Sequence, residues 1–309
     1  QLCRGILSCL RVFSPTLYKR IKYVLVERSP RYPSAIRADG DRGWSSVLAN
    51  LPAKCRDITF AEAVEDLQLS DIEGCFLSNE LPDSFPVHRL KMTDEGLREV
   101  YVGLEGGRLV EVLDELSTPS LANYLQWLGV ELAEGNYAEV NLLALDWLGQ
   151  VASRLRRGFV LTIDYGYTSS EMYAAERREG TLLSYRRHCY SKNLLASPGQ
   201  QDLTAHVDFS ALTKAGESLG LRFVGLTSQR AFLINLGLRH YAEALRKLHL
   251  PAPELQANLR TMDELVRPDQ LGRLKVLVQC KGLEASVLRG LNADAEEPGF
   301  AWWERPSVL

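Results

Sequence analysis

The sequence predicts an α/β fold, a mostly parallel sheet with helices on both faces. Three observations carry that expectation. Short β-rich apolar runs at 23–26, 73–78, 159–163 and 274–279 have the length of buried strands. They alternate with stretches of helical periodicity, as strand–helix–strand units do. Three of the predicted strands stop at acids, Glu27, Glu80 and Asp164. Such acids gather at one sheet edge, where open α/β sheets bind ligands.

The elements follow in order. Leu2, Ile6, Leu7 and Leu10 share one face of an opening helix, which Ser14-Pro15 breaks. Tyr23-Val24-Leu25-Val26 reads as a buried strand, residues 56–60 as another, and 73–78 as a third. Residues 99–113 alternate around Glu105-Gly106-Gly107 and predict a hairpin. A helix is expected from Ser120 to Leu128 and a longer one over 139–156, stopped by Gly158. Phe159–Ile163 is the next strand. Residues 168–208 carry few regular signals, which in a compact chain points to function or mobility. A helix over 209–219, a strand over 221–226, helices over 231–248 and 253–266 and a strand over 274–279 complete the pattern. That last strand leaves room for one reversed direction. The expected organisation is one domain over 1–283, with insertions near 97–135 and 168–208, and a tail over 284–309.

Composition narrows the function classes. The 309 residues are 46% hydrophobic and 24% charged, with a net charge of −3. There is no basic block to suggest nucleic acid, and no apolar run approaches the roughly 20 residues of a membrane span. The six cysteines form no CxxC pair, so neither zinc-site nor disulfide-scaffold spacing is present, and no metal is expected. That cysteine usage suits a reducing compartment. A bacterial cytoplasm is the expected location, with the mitochondrial matrix as the alternative, and a homodimer is compatible with the chain.

The most informative stretch is Cys75–Arg89, where an apolar strand ends in Ser78-Asn79-Glu80, followed by Asp83 and Pro86. An acid that closes the second strand of a nucleotide-binding unit accepts hydrogen bonds from ribose hydroxyls, and Glu27 fits that place. A solvated strand end is the other reading of Glu27. The strand and glycine-rich turn that should precede the first helix are expected upstream of Gln1.

With these residues in hand, the chain resembles the MidA-like family of class I S-adenosylmethionine-dependent methyltransferases. Mitochondrial members of that family are complex I assembly factors that methylate a protein arginine. The resemblance runs through Val26–Pro30, Ser78–His88, Leu161–Tyr167, Gly180-Thr181-Leu182, Gln201–Phe209 and Leu274–Gln279. The His206 segment is its most specific part. One departure is Leu81-Pro82, where the family has bulky apolar residues. Proline lacks an N–H and restricts its predecessor, so the loop presenting Glu80 and Asp83 is expected to be altered.

The resemblance implies a seven-stranded, Rossmann-like sheet with one reversed strand near its edge and S-adenosylmethionine as cofactor. It implies a protein substrate presenting an arginine. Glu80 and Asp83 would grip the guanidinium in bidentate fashion. His206 would accept a proton, because an imidazole ordinarily titrates near neutrality, and Asp208 or Asp202 would orient it. A loop histidine bonded to a backbone carbonyl is the alternative for His206. Asp164 and Tyr165 would line the acceptor pocket, although Tyr165 reads equally as a packing residue. Glu27 would bind the ribose, Ser78 and Asn79 the methionine end, and Phe60 would lie near the adenine. A nicotinamide-dependent dehydrogenase, a noncatalytic assembly module and a small-molecule methyltransferase are the rival readings.

Overall fold

The computed structural model describes residues 2–26, 59–61, 63–67, 69–186, 189–284 and 288–292. Its first elements are α1 (Leu2–Phe13), α2 (Pro15–Arg20), β1 (Val24–Val26), β2 (Thr59–Ala61), β3 (Ile72–Asn79) and β4 (His88–Thr93). Then come β5 (Gly96–Glu105), β6 (Arg108–Asp114), α3 (Ser120–Leu128), β7 (Tyr137–Val140), α4 (Leu142–Arg154) and β8 (Leu155–Asp164). Short elements follow: β9 (Gly166–Tyr167), α5 (Ser169–Met172), β10 (Leu183–Arg186), β11 (Cys189–Ser191), β12 (Asp202–Thr204) and β13 (Val207–Asp208). The last are α6 (Phe209–Ser218), β14 (Arg222–Ser228), α7 (Gln229–Asn235), α8 (Leu238–Lys247), α9 (Ala252–Glu264) and β15 (Lys275–Lys281).

The chain forms two compact units, one of residues 1–70, 239–256 and 296–309, the other of 71–238 and 257–295. In the first, Leu7 of α1 is buried against Cys3, Tyr18 and Tyr23. Pro15 takes the first turn of α2, where its missing N–H costs nothing, so the expected break becomes a second short helix. β1 and β2 pair in parallel, Leu25 opposite Phe60. Glu27 lies outside the described residues, as do Trp302 and Trp303.

The second unit holds a four-stranded sheet in the order β14-β15-β8-β3. β3 and β8 are parallel, whereas β15 is antiparallel to both β8 and β14. Hence β14, β8 and β3 share one direction and β15 alone is reversed. The reversed strand lies next to the edge strand β14, in the edge region where one reversed strand is expected. Its Val276, Leu277, Val278, Gln279 and Cys280 are all buried, as befits a strand covered on two faces and flanked on two sides. Gly158 does not stop α4, which ends at Arg154. Instead it sits inside β8 at φ +144°, where an added Cβ would lie 1.8 Å from the Gly74 carbonyl oxygen of β3. Only a residue without a side chain fits there.

A second, antiparallel sheet runs β6-β5-β4-β7. Its hairpin turn has Gly106 at φ +55° and Gly107 at φ +80°, the paired positive φ angles of a tight hairpin. Leu90, Ala138 and Val140 of this sheet pack on Leu121, Tyr124 and Leu125 of α3. β4 and β7 were not anticipated. Residues 139 and 140, expected to be helical, pair with β4, because the helix cannot begin before its cap. Asn141 supplies that cap, its Oδ1 accepting the Ala144 N–H at 2.9 Å.

Candidate functional site

Two neighbouring parallel strands deliver the acids. β3 ends at Asn79, and the Glu80 N–H continues the ladder by donating to the Ile163 carbonyl at 2.9 Å. Glu80 then turns the chain at φ +49°, the left-handed region that a residue with a Cβ seldom enters. Backbone outliers of this kind cluster at functional sites. Pro82 opens a 3₁₀ turn over Pro82–Ser84, a position that suits proline, so the unusual Leu81-Pro82 is accommodated. Asn141 Nδ2 holds the turn by donating to the Pro82 carbonyl at 2.9 Å.

Asp83 lies on that turn above the end of β8. Its N–H donates to Asp164 Oδ2 at 3.2 Å, and Asp164 Oδ1 accepts the Tyr165 N–H at 2.8 Å. Asp164 is fully buried, so it underpins the Asp83 turn and does not line an open pocket. Burial, then the charge of Asp83, raises the Asp164 carboxyl to about 8, even against its two backbone donors. Burial, then the charge of Glu80, raises Asp83 to about 6. Glu80 itself is exposed and accepts from Asn79 Nδ2 at 3.2 Å. Three carboxylates thus share one corner of the sheet, and among the described residues none of them forms an ion pair. Ser78 Oγ, just beneath, is buried without a hydrogen-bond partner.

The segment carrying His206 is tied to the same corner. The Ala205 N–H donates to the Asp83 carbonyl at 3.1 Å, and the Val207 N–H to the Tyr165 carbonyl at 2.8 Å. β13 pairs with β9 so closely that a Cβ on Gly166 would lie 2.0 Å from the Val207 oxygen. The result is a layered stack. The His206 ring lies 6.5 Å from that of Tyr165, at 18°, and 5.1 Å from that of Tyr167. Arg273 covers the Tyr165 ring at 5.1 Å and Arg177 the Tyr167 ring at 4.1 Å.

These surroundings lower the basicity of the expected proton acceptor. Burial first, then the guanidinium groups of Arg273 and Arg177, push the imidazole down to about 4. The ring is neutral at pH 7 and holds a proton weakly, while its Nδ1 is buried and unpartnered. Neither expected orienter serves it. Asp208 is the N-cap of α6, accepting from the Ser210 and Ala211 N–H groups and from Ser169 Oγ at 2.8 Å. Asp202 is exposed on β12. His206 is positioned instead through its own N–H, which donates to Thr181 Oγ1 at 3.2 Å. Thr181 in turn donates to the buried carboxylate of Glu139 from Oγ1 and from its backbone. A Cβ on Gly180 would clash with that carboxylate.

Phe60 is placed on β2 by its backbone alone. No cluster of His, Cys, Asp and Glu able to hold a metal occurs among the described residues, and no helix among them is long and apolar enough to cross a membrane. Sequence reasoning missed Asn141, Arg273 and Arg177. An asparagine directly before a periodic apolar run was a readable cap signal for the first. The two arginines have no local signal, since only the fold brings them to the tyrosines.

Known proteins resemble the chain along most of its length. It is 29% identical over 203 residues to the mitochondrial protein arginine methyltransferase NDUFAF7 of Danio rerio, covering 64% of this chain and 44% of that protein. The human counterpart is 28% identical over 204 residues, again 64% of this chain and 43% of the relative. The chain therefore spans less than half the length of these curated relatives. A crystal structure described as a "likely methyl transferase from Burkholderia thailandensis bound to S-adenosyl-homocysteine" superposes with a TM-score of 0.77 at 26% identity. That match covers 94% of this chain and 70% of the other. A family model matches residues 1–227, from the first helix through β14. On that match the chain belongs to the family described as "putative S-adenosyl-L-methionine-dependent methyltransferase".

Proposed function

We propose that the protein transfers the methyl group of S-adenosylmethionine to an arginine side chain of a partner protein. The carrying observation is the three-carboxylate corner formed by Glu80, Asp83 and Asp164 at adjacent strand ends. Clustered carboxylates that hold one another's protons are a receptor for a cation. A planar guanidinium offers the paired N–H groups that two carboxylates accept together. The family and the names of the curated relatives point to the same chemistry.

The residues present fit the cofactor. Ser78 Oγ is a buried polar atom without a partner, suited to the amino-acid end, with Asn79 beside it. Glu27 takes the ribose and Phe60 the adenine in this reading, within a seven-stranded sheet covered by helices on both faces and one domain over 1–283. The sulfonium supplies an electrophilic methyl group. Glu80 and Asp83 grip and orient the guanidinium, and a desolvated, fixed geometry gives most of the rate advantage. Asp83, titrating near 6, takes the proton that the nitrogen sheds. Asp164 holds the Asp83 turn from below. His206 offers Nδ1 as a neutral acceptor to a substrate N–H.

Incubating the protein with methyl-labelled S-adenosylmethionine and a lysate from cells lacking it, then hydrolysing the protein fraction, tests the reading. Label is expected in methylarginine. Label confined to small molecules would move the acceptor class, and no label despite cofactor binding would leave a noncatalytic module.

A further inference from the structure

The β5–β6 hairpin carries apolar surface that the methyl-transfer site does not use. Leu104 is 72% exposed and Val102 61%, and Leu109, Val112 and Leu113 are exposed as well. Among the described residues β6 pairs only with β5, so its other edge carries unpaired backbone donors and acceptors. An open edge strand whose exposed residues are mostly apolar invites another strand.

The sequence of β6 says which strand. Two identical strands pairing antiparallel about a two-fold axis must place side chains of the same sheet face opposite each other, so the axis passes through one residue. With the axis at Glu111, Arg108 faces Asp114 of the other copy, Leu109 faces Leu113, and Val110 faces Val112. Centring on Val110 or Val112 instead sets Leu109 or Leu113 against Glu111 and leaves the charges unmatched. Only the Glu111 register pairs apolar with apolar and plus with minus. The two central glutamates are each already offset by an ion pair with Arg89 of their own chain.

We propose that a second copy of this chain docks on β6 by antiparallel pairing centred on Glu111. The β6-β5-β4-β7 sheets of two protomers then join into one of eight strands. Leu109, Val110, Val112 and Leu113 of the two copies become cross-strand neighbours.

Charge exchange across the axis tests the register itself. The intact chain is expected to sediment as a dimer at on the order of 100 µM, a range that captures even weak association. Arg108→Asp or Asp114→Arg alone turns two attractive contacts into two repulsive ones and should weaken the dimer about tenfold or more. Mixing the two single variants restores both opposite-charge pairs in a heterodimer, and the double variant restores them in a homodimer. Recovery in the mixture also shows that each variant is folded. A monomeric wild-type chain would overturn the proposal, as would a dimer indifferent to both variants, or single variants that stay dissociated when mixed. Capture of an unrelated strand on β6 without self-association would overturn it too.

Discussion

The backbone N–H of Asp83 donates to Oδ2 of Asp164 at 3.2 Å, joining residues 81 apart in the chain. The bond couples the turn after β3 to the end of β8. It also places one carboxylate beneath another; burial first, then the charge of Asp83 on Asp164 and of Glu80 on Asp83, holds both protons more tightly than usual. Several measurable consequences follow from that arrangement.

The first is a pH-dependent stability. The Asp164 carboxyl is raised in the folded state to about 8, so the folded protein keeps a proton that the unfolded chain has already lost. Stability from this group is therefore full at acidic pH and falls as pH rises towards 8, by up to about 1.4 kcal/mol per pH unit. Asp164→Asn removes the slope while losing one acceptor. The urea midpoints of wild type and variant should converge between pH 6 and 8. Parallel midpoints would contradict the assignment.

Cation binding should show the opposite trend. A guanidinium prefers the ionised acids, so an arginine peptide should bind better as pH rises through the titrations of Asp83, about 6, and Asp164, about 8. The gain is at most about tenfold per pH unit for each proton released. Calorimetry in buffers of different ionisation enthalpy reads the released protons directly. Binding without proton release would count against the carboxylate corner.

His206 should be found neutral. Burial is the largest cause of its lowered titration, followed by the guanidinium groups of Arg273 and Arg177. Replacing Arg273 by Gln should therefore move the His206 titration upward from about 4 without returning it to 6.5. An NMR titration of the imidazole resolves this, and an unchanged midpoint would separate Arg273 from the stack.

Asn141 serves two elements at once, capping α4 through Oδ1 and holding Pro82 through Nδ2. Asn141→Ala should cost about 1–3 kcal/mol from the cap and the lost hydrogen bond. Asn141→Asp restores the cap but cannot donate to the carbonyl. Urea unfolding should recover part of the loss while methyl transfer stays slow. Full recovery of transfer would show that the turn does not need this tether.

Much of this was legible in the sequence where local chemistry decides structure. Gly106-Gly107 named the hairpin turn, and the short apolar runs named β3, β8 and β15. The strand-end acids Glu80 and Asp164 did meet at neighbouring strands. What could not be read depends on tertiary neighbours. Gly158 looked like a helix stop because its real constraint, the Gly74 carbonyl, is 84 positions away in sequence and appears only when β3 and β8 pair. Asp208 looked like a partner for His206 because it is two residues distant, yet an acid directly before a helix is drawn to the helix's free N–H groups. The shift of His206 away from neutrality comes from two arginines that no spacing rule connects to it.

The most direct test separates holding the cofactor from holding the arginine. Glu80→Gln and Asp83→Asn would each be assayed for S-adenosyl-homocysteine affinity by calorimetry and for label transferred into methylarginine. Affinity within about threefold of wild type, with transfer reduced at least about a hundredfold, is the expected result, since each carboxylate acts on the acceptor in the transition state. Transfer that survives both substitutions would contradict the guanidinium grip at the ends of β3 and β8.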